Sequence, residues 1–83
     1  MESIHILVVE DDPAINQLLC TIASDAGYDC RPAFSGSEAA LLAEQYSYDL
    51  ILLDLMLPGL TGEEFIARLR KGKTMPVIVL SAK

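Results

Sequence analysis

Short apolar runs alternate along the chain with amphipathic stretches. The run at residues 4–9, IHILVV, is β-branched and almost continuously apolar, and similar runs occupy 49–54 and 77–81. Runs of this kind are typical of strands buried on both faces of a parallel sheet. The stretch at 28–33 is more polar, so we expect a weaker strand there, at an edge of the sheet. The pattern therefore predicts four strands.

The segment after the first strand has the signals of a helix. Asp12 is placed as its N-cap, Pro13 as its first helical residue and Gly27 as its C-cap. Apolar residues recur along this segment at helical spacing. We expect one face of the helix to pack inward, formed by Ile15, Leu18, Leu19, Ile22 and Ala26.

Two further helices are marked by their starts. Ser35 with Glu38, and Thr61 with Glu64, have the spacing of a capping box, in which two side chains satisfy backbone groups at a helix start. Phe65 is among the apolar residues expected to face the core in the later helix. The predicted order is thus β-α-β-α-β-α-β. It implies right-handed crossovers and an α/β fold of three layers, with helices on both faces of a parallel sheet.

Composition narrows the class of protein. The chain has 83 residues, 52% of them hydrophobic, and a net charge of −6, which fits one small globular domain. The acidity argues against direct binding of nucleic acid or an anionic membrane. Its longest uninterrupted apolar run is too short to span a bilayer. Cys20 and Cys30 make neither a disulfide framework nor a zinc site, and we expect them to be small packing residues in a soluble, cytosolic, reduced protein.

Acidic residues stand where the predicted strands end. The first strand runs into Glu10, Asp11 and Asp12, the third ends at Asp54, and the fourth ends at Ser81. In open parallel sheets chemistry collects beyond the carboxyl ends of the strands. If the first and third strands are neighbours, several carboxylates converge and repel one another unless a cation lies among them. Oxygen ligands of this kind suit Mg²⁺.

Simpler interpretations stand beside this one. Asp12 is more readily explained as a helix cap than as a ligand, and Glu10 or Asp11 taken singly could be a solvated strand end. Ser81 alone is uninformative. Asp54 lies between two apolar triplets, which a solvated turn does not ordinarily produce. Acids, a metal and a nearby hydroxyl together fit phosphoryl transfer to a carboxylate nucleophile.

Three stretches of the chain, taken in order, resemble the receiver domain of bacterial two-component response regulators. They are LVVEDDP at 7–13, DLILLDLMLPG at 49–59 and PVIVLSAK at 76–83. The resemblance implies a flavodoxin-like sheet with the strand order 2-1-3-4-5. The resemblance covers the whole chain. The three stretches are most similar to those of regulators that have a winged-helix DNA-binding output domain.

The resemblance also implies roles for single residues. Asp54 corresponds to the carboxylate that accepts a phosphoryl group from a phosphohistidine on a sensor histidine kinase. Asp11 corresponds to a direct ligand of Mg²⁺ (or Mn²⁺), and Glu10 to an acid acting largely through water. The backbone carbonyl of Met56 corresponds to a further metal ligand. Ser81 corresponds to the switch hydroxyl that turns toward the phosphoryl group.

A complete receiver continues through a further helix, strand and helix, so we expect residues 1–83 to be a C-terminally incomplete receiver domain. The family's fifth strand supplies a lysine that pairs with the phosphoryl group, and Lys83 does not match it. No output domain is expected in this chain, so contact with DNA would require one elsewhere. An exposed fourth strand would lose apolar cover. We therefore expect a homodimer or a swapped oligomer. We also expect the protein to act in the cytoplasm and not to bind a membrane.

Three classes of function follow from these expectations. The first is a phosphorylation-dependent signalling switch, which catalyses its own phosphorylation and dephosphorylation and is not a turnover enzyme. The second is an aspartyl-phosphate hydrolase of the haloacid dehalogenase type, which requires a second acid two residues after the nucleophile, where this chain has Met56. The third is a structural module that keeps the partial fold without a working switch.

Overall fold

The computed structural model of the protein describes residues 4–54, 62–69 and 76–81. Within these ranges the chain forms four strands and three helices in strict alternation, as the sequence predicts. The elements are β1 (His5–Val9), α1 (Pro13–Asp25), β2 (Asp29–Ala33), α2 (Gly36–Gln45), β3 (Leu50–Asp54), α3 (Gly62–Leu69) and β4 (Val77–Ser81).

The four strands form one parallel sheet with the order β2-β1-β3-β4. This order confirms that β2 is an edge strand and that β1 and β3 are neighbours. The ladder between β3 and β4 is regular up to the pair Leu53 and Val79, and then shifts so that Asp54 pairs with Ser81. A β-bulge of this kind adds one residue to one strand and often lies beside a functional site.

The start and end of α1 follow from local chemistry. The Asp12 side chain accepts hydrogen bonds from the backbone N–H groups of Ala14 at 2.9 Å and Ile15 at 3.4 Å. These N–H groups have no acceptor within the helix, so the aspartate satisfies them. After the helix, Gly27 has φ of 94°, a left-handed conformation that glycine adopts at little cost. Asp12 and Pro13 are therefore confirmed at the start of the helix, whereas the C-cap is Ala26 and Gly27 is the residue after it.

Of the predicted capping box of α2, the Ser35 cap is confirmed, and the Glu38 side chain bonds one residue earlier than the prediction has it. Ser35 Oγ accepts from the backbone N–H of Glu38 at 3.1 Å. The Glu38 carboxylate in turn accepts from the backbone N–H of Phe34 at 2.7 Å, one residue before the cap. For α3, Thr61 lies outside the described residues. Phe65 is fully buried, as its position in the amphipathic pattern predicts.

Two apolar clusters lie on opposite faces of the sheet, because successive residues of a strand point to opposite faces. The face under α2 and α3, called the α2/α3 face, has a cluster of buried residues: Leu7, Val9, Ala33, Ala39, Ala40, Ala43, Tyr48, Ile51, Leu53 and Phe65. The face under α1, called the α1 face, has a smaller buried set: Ile6, Val8 and Ala23.

The predicted inward face of α1 is wrong in most of its members. Leu19 packs partly against the α1 face, but four residues expected inside are exposed: Ile15, Leu18, Ile22 and Ala26. The residues of α1 that are buried are Asn16 and Ala23. Helical periodicity identifies an apolar stripe that begins at Ile15. A second stripe begins one position later, at Asn16, and contains the small residues that let the helix lie close to the sheet. That second stripe is the one that packs.

Candidate functional site

Three carboxylates meet at the carboxyl edge of the sheet. Glu10 and Asp11 directly follow β1, and Asp54 is the last residue of β3, the neighbouring parallel strand. Oxygen atoms from these three side chains lie within 4.8 Å of one another. Glu10 and Asp54 are buried, whereas Asp11 is exposed. We call these three residues the acid cluster.

The backbone holds Glu10 in place. Its N–H donates to the carbonyl oxygen of Ala33 on β2 at 3.0 Å, and its carboxylate accepts from the N–H of Asp12 at 3.0 Å. Burial raises the pKa of the Glu10 carboxyl, and the hydrogen bond from the Asp12 backbone partly offsets that rise. The carboxyl groups of Asp11 and Asp54 raise the pKa further. The ionised form of Glu10 is therefore disfavoured by burial and by its acidic neighbours.

A divalent cation fits this arrangement. The donor atoms are carboxylate oxygens, which Mg²⁺ and Mn²⁺ favour over softer metals. Two of the three carboxylates are buried, and one faces solvent, which leaves an approach for hydrated ions. Because the pKa of Glu10 is raised in part by its neighbours, a bound cation would relieve the same repulsion.

Asn16, on α1, forms hydrogen bonds to the backbone next to the acid cluster. Its side chain is fully buried, and its amide nitrogen lies 3.1 Å from the carbonyl oxygen of Glu10 and 3.0 Å from that of Ala33. A third carbonyl, that of Val8, is at 3.3 Å. The amide thus ties α1 to the ends of β1 and β2, just before the chain reaches Asp11.

The sequence reasoning missed Asn16 because it treated inward positions of α1 as apolar ones. A signal was present. Asn16 is a polar residue in the same helical stripe as Leu19 and Ala23, three and seven positions further on. A buried amide needs hydrogen-bond partners, and the carbonyl groups at strand ends provide them.

The structure places two of the other predicted site residues, Asp12 and Ser81. Asp12 caps α1 through two backbone N–H groups, which favours its interpretation as a cap. The backbone of Ser81 pairs with that of Asp54, so both stand at the same level of the sheet. Met56 lies outside the described residues. His5 stands at the opposite end of β1 from the acids, where its ring pairs with Asp29 at 2.8 Å.

Comparison with known proteins supports the family that the sequence resembles. Residues 6–83 match the model of the response regulator receiver domain. This protein belongs to that family. The match spans the acid cluster and, apart from His5 at the start of β1, all four described strands.

Relatives and a solved structure agree with this assignment. The DNA-binding response regulator MtrA of Mycolicibacterium smegmatis is 38% identical over 95% of this chain, and the transcriptional regulatory protein ResD of Bacillus subtilis is 42% identical over 94%. The chain spans 35% and 32% of their lengths. The receiver domain of the Francisella response regulator 1452 superposes with a TM-score of 0.91 at 40% identity. That alignment covers 96% of this chain and 67% of that one.

These neighbours confirm the flavodoxin-like receiver fold. The chemotaxis response regulator CheY4 of Vibrio cholerae has the same fold, with a TM-score of 0.90 at 31% identity over 94% of this chain and 68% of its own. Among the described helices, none combines the length and the apolar character needed to cross a membrane.

Proposed function

We propose that Asp54 accepts a phosphoryl group from a phosphohistidine of a sensor histidine kinase, in a reaction that depends on Mg²⁺ or Mn²⁺. The observation that carries this proposal is the acid cluster, whose oxygens lie within 4.8 Å of one another at the ends of adjacent strands. Family membership supports it, since response regulator receivers are signalling domains. A domain that acts in this way is a signalling switch and not a turnover enzyme.

Each acid has a separate task in this proposal. Asp54 ends a buried strand, so its carboxylate is held in one position, as an attacking group must be. Asp11 is exposed and is proposed as a direct metal ligand, while Glu10 acts largely through water. The carbonyl of Met56 is proposed as a further ligand. A bound divalent ion would neutralise charge on the phosphoryl oxygens and on the cluster.

The chemical step is a displacement at phosphorus. An oxygen of the Asp54 carboxylate attacks the phosphorus atom, a P–O bond forms, and the P–N bond to the donor histidine breaks. The imidazole leaves with the bonding electron pair and takes a proton from solvent. Ser81, paired with Asp54 across the sheet, is proposed to direct its hydroxyl to the new phosphoryl group and so to report its presence.

The role of the domain in a cell is proposed from its relatives. MtrA and ResD are named as a DNA-binding response regulator and a transcriptional regulatory protein. We propose that residues 1–83 act as the receiver domain of such a regulator, with DNA bound only through an output domain and not by this acidic segment. We place this activity in the cytoplasm, where sensor kinases present their phosphohistidine.

A second function is favoured by the apolar side chains that β4 leaves exposed, among them Val79 at 45%. Ile78 on β4 is 50% exposed and pairs with Leu52, whose side chain packs against the α1 face. Within the described sheet β4 is an edge strand. A second copy of the chain would cover both the edge and the apolar face, so we propose a homodimer or a swapped oligomer. In this alternative the chain is a structural module without a working switch.

Intact-mass spectrometry after incubation with acetyl phosphate, with and without Mg²⁺, tests the proposed acceptor. We expect the parent chain to gain one phosphoryl group only with Mg²⁺, and Asp54→Asn to gain none. Asp12→Asn is the matched control, because asparagine also caps helices and the residue adjoins the cluster. It should label like the parent chain.

The outcomes separate the alternatives. Labelling that persists in Asp54→Asn would show that another residue is the acceptor. Loss of labelling in Asp12→Asn would make Asp12 part of the metal site. An unlabelled parent chain would overturn the switch and favour the structural module.

A further inference from the structure

Cys20 and Cys30 meet between α1 and β2. Their Sγ atoms are 2.7 Å apart, and both side chains are half-buried free thiols. The pair lies on the α1 face, beside Ile6 and Val8 of the neighbouring strand. A disulfide bond is about 2.05 Å long, so a further approach of only about 0.65 Å separates these sulfurs from bonding distance.

The two thiols belong to a chain of hydrogen bonds that leads to the acid cluster. The Cys30 thiol donates to Cys20 Sγ, and the Cys20 thiol donates to the side-chain oxygen of Asn16 at 3.5 Å. The amide nitrogen of Asn16 then donates to the carbonyl oxygens at the ends of β1 and β2, including that of Glu10. The pair is therefore positioned by the same buried amide that supports the acid cluster.

We propose that Cys20 and Cys30 are a site of reversible oxidation, at which a small-molecule disulfide of the glutathione type converts the two thiols to a disulfide that joins α1 to β2. Both side chains pack against the α1 face, as the sequence predicts, but two features go beyond packing. The thiols face each other across two different elements, and each makes a directed contact, whereas packing requires only apolar volume. Cytosolic disulfides are characteristically transient and redox-sensing.

The reaction proceeds by two exchanges. The Cys20 sulfur, as thiolate, attacks one sulfur of the small disulfide, a mixed disulfide forms, and one small thiol leaves. The Cys30 sulfur then loses its proton and attacks Cys20 Sγ, which releases the second small thiol. Two electrons and two protons pass from the protein to the small disulfide, which becomes two thiols.

The order of the exchanges follows from the surroundings of Cys30. Burial, followed by the hydrogen bond to Cys20 and the negative charge of Asp29, raises the pKa of the Cys30 thiol to about 12. Cys30 therefore stays protonated near neutral pH and is a poor first nucleophile. It is suited to the second step, in which its target sulfur is already in contact with it.

The test equilibrates the chain in buffers with graded ratios of oxidised to reduced glutathione, blocks remaining thiols with an alkylating agent, and measures intact mass. We expect a species that is two hydrogen atoms lighter than the reduced chain, carries no alkyl group, and disappears on reduction with dithiothreitol. Cys20→Ser and Cys30→Ser are the matched controls. Neither variant can form the internal disulfide, so neither should give the monomer that is two hydrogen atoms lighter.

A second measurement compares urea unfolding of the oxidised and the reduced chain. The cross-link restricts the unfolded ensemble, so the oxidised form should unfold at a higher urea concentration. The same oxidative treatment should leave the midpoint of Cys20→Ser unchanged or lower. A parent chain that stays fully reduced, or that carries only glutathione adducts at the most oxidising ratio, would overturn the proposal.

Discussion

The two faces of the sheet are built from equally apolar strands but are covered very differently. The α2/α3 face is covered by two helices and includes the fully buried ring of Phe65, although Val79 on the edge strand is 45% exposed. The α1 face is closed by one described helix, and that helix leaves Leu18 59% and Ile22 57% exposed. The difference teaches that an apolar strand composition predicts burial on both faces without indicating how completely each face is covered.

The faces also differ in what holds the helix to the sheet. On the α2/α3 face apolar side chains interlock. On the α1 face the central contact is the amide of Asn16, flanked by the small residues Cys20 and Ala23. Apolar packing tolerates changes that conserve volume, whereas a buried amide depends on every one of its hydrogen bonds.

The largest effect is expected from Phe65→Ala. Removing a fully buried ring leaves a cavity and costs about 3–5 kcal/mol, which is as much as a domain of this size has to lose. Urea unfolding followed by circular dichroism should therefore show little or no cooperative transition. Leu18→Ala is the matched control on the α1 face and should change stability by no more than about 0.5 kcal/mol. Equal losses in the two variants would remove the contrast between the faces.

Asn16→Ala is expected to have the next largest effect. It removes the side-chain donor to the Glu10 carbonyl and one of the two donors to the Ala33 carbonyl, at a cost of about 1–3 kcal/mol in the free energy of unfolding. The exposed neighbour Gln17 provides the control, and Gln17→Ala should stay within about 0.5 kcal/mol of the parent chain. A neutral Asn16→Ala variant would mean that apolar contacts, and not the amide, hold α1.

A smaller effect is expected from Glu10→Gln, in the acid cluster at the carboxyl edge of the sheet. The pKa of Glu10 is raised in the folded chain, so the folded state binds this proton more tightly than the unfolded state does. The stability that Glu10 contributes is fully present below its unfolded pKa and is lost as pH rises through its folded pKa. In metal-free buffer, Glu10→Gln should therefore gain stability relative to the parent chain as pH increases.

At neutral pH, saturating Mg²⁺ should make the parent chain more stable than Glu10→Gln, because the cation stabilises the parent chain more than the variant. Thermal unfolding of both chains with Mg²⁺ and with a chelator measures the difference. The acid cluster would not be a metal site if Mg²⁺ left the unfolding temperature of the parent chain unchanged.

The smallest effect on folding is expected from Ile78→Lys. Ile78 is half exposed at the edge strand, so the change should alter the free energy of unfolding by no more than about 0.5 kcal/mol. It should nevertheless abolish self-association if the α1 face is the contact between copies. Light scattering across a concentration series measures the mass. A monomeric parent chain would remove the proposed oligomer, and an equally associated variant would move the contact elsewhere.

The sequence predicts the order of elements, the neighbouring positions of β1 and β3, and the meeting of Glu10, Asp11 and Asp54. The order of elements follows from local rules, because apolar runs form strands. The strand order comes from the resemblance to the receiver family, and the acids meet because parallel neighbours bring their carboxyl ends together. The inward face of α1 could not be predicted in the same way. Two apolar stripes compete there, and the choice between them depends on carbonyl groups, distant along the chain, to which the Asn16 amide donates.

The meeting of Cys20 and Cys30 illustrates a second limit. Their separation along the chain gives no sign of contact, because a helix and a turn lie between them. Contact depends on the register of β1 with β2, in which Ile6 pairs with Cys30, and on which stripe of α1 packs. An inference that places the wrong stripe inward also separates the two thiols.

The shift in the ladder between β3 and β4 has a consequence for anyone who redesigns this sheet. A regular ladder continued from Leu53 and Val79 would set Leu80 beside Asp54, and Ser81 would fall one step beyond it. A redesign that removed this irregularity would thus give a more regular sheet with an aliphatic residue as the strand neighbour of Asp54. The shift in the backbone is what places a hydroxyl residue beside Asp54 in the ladder.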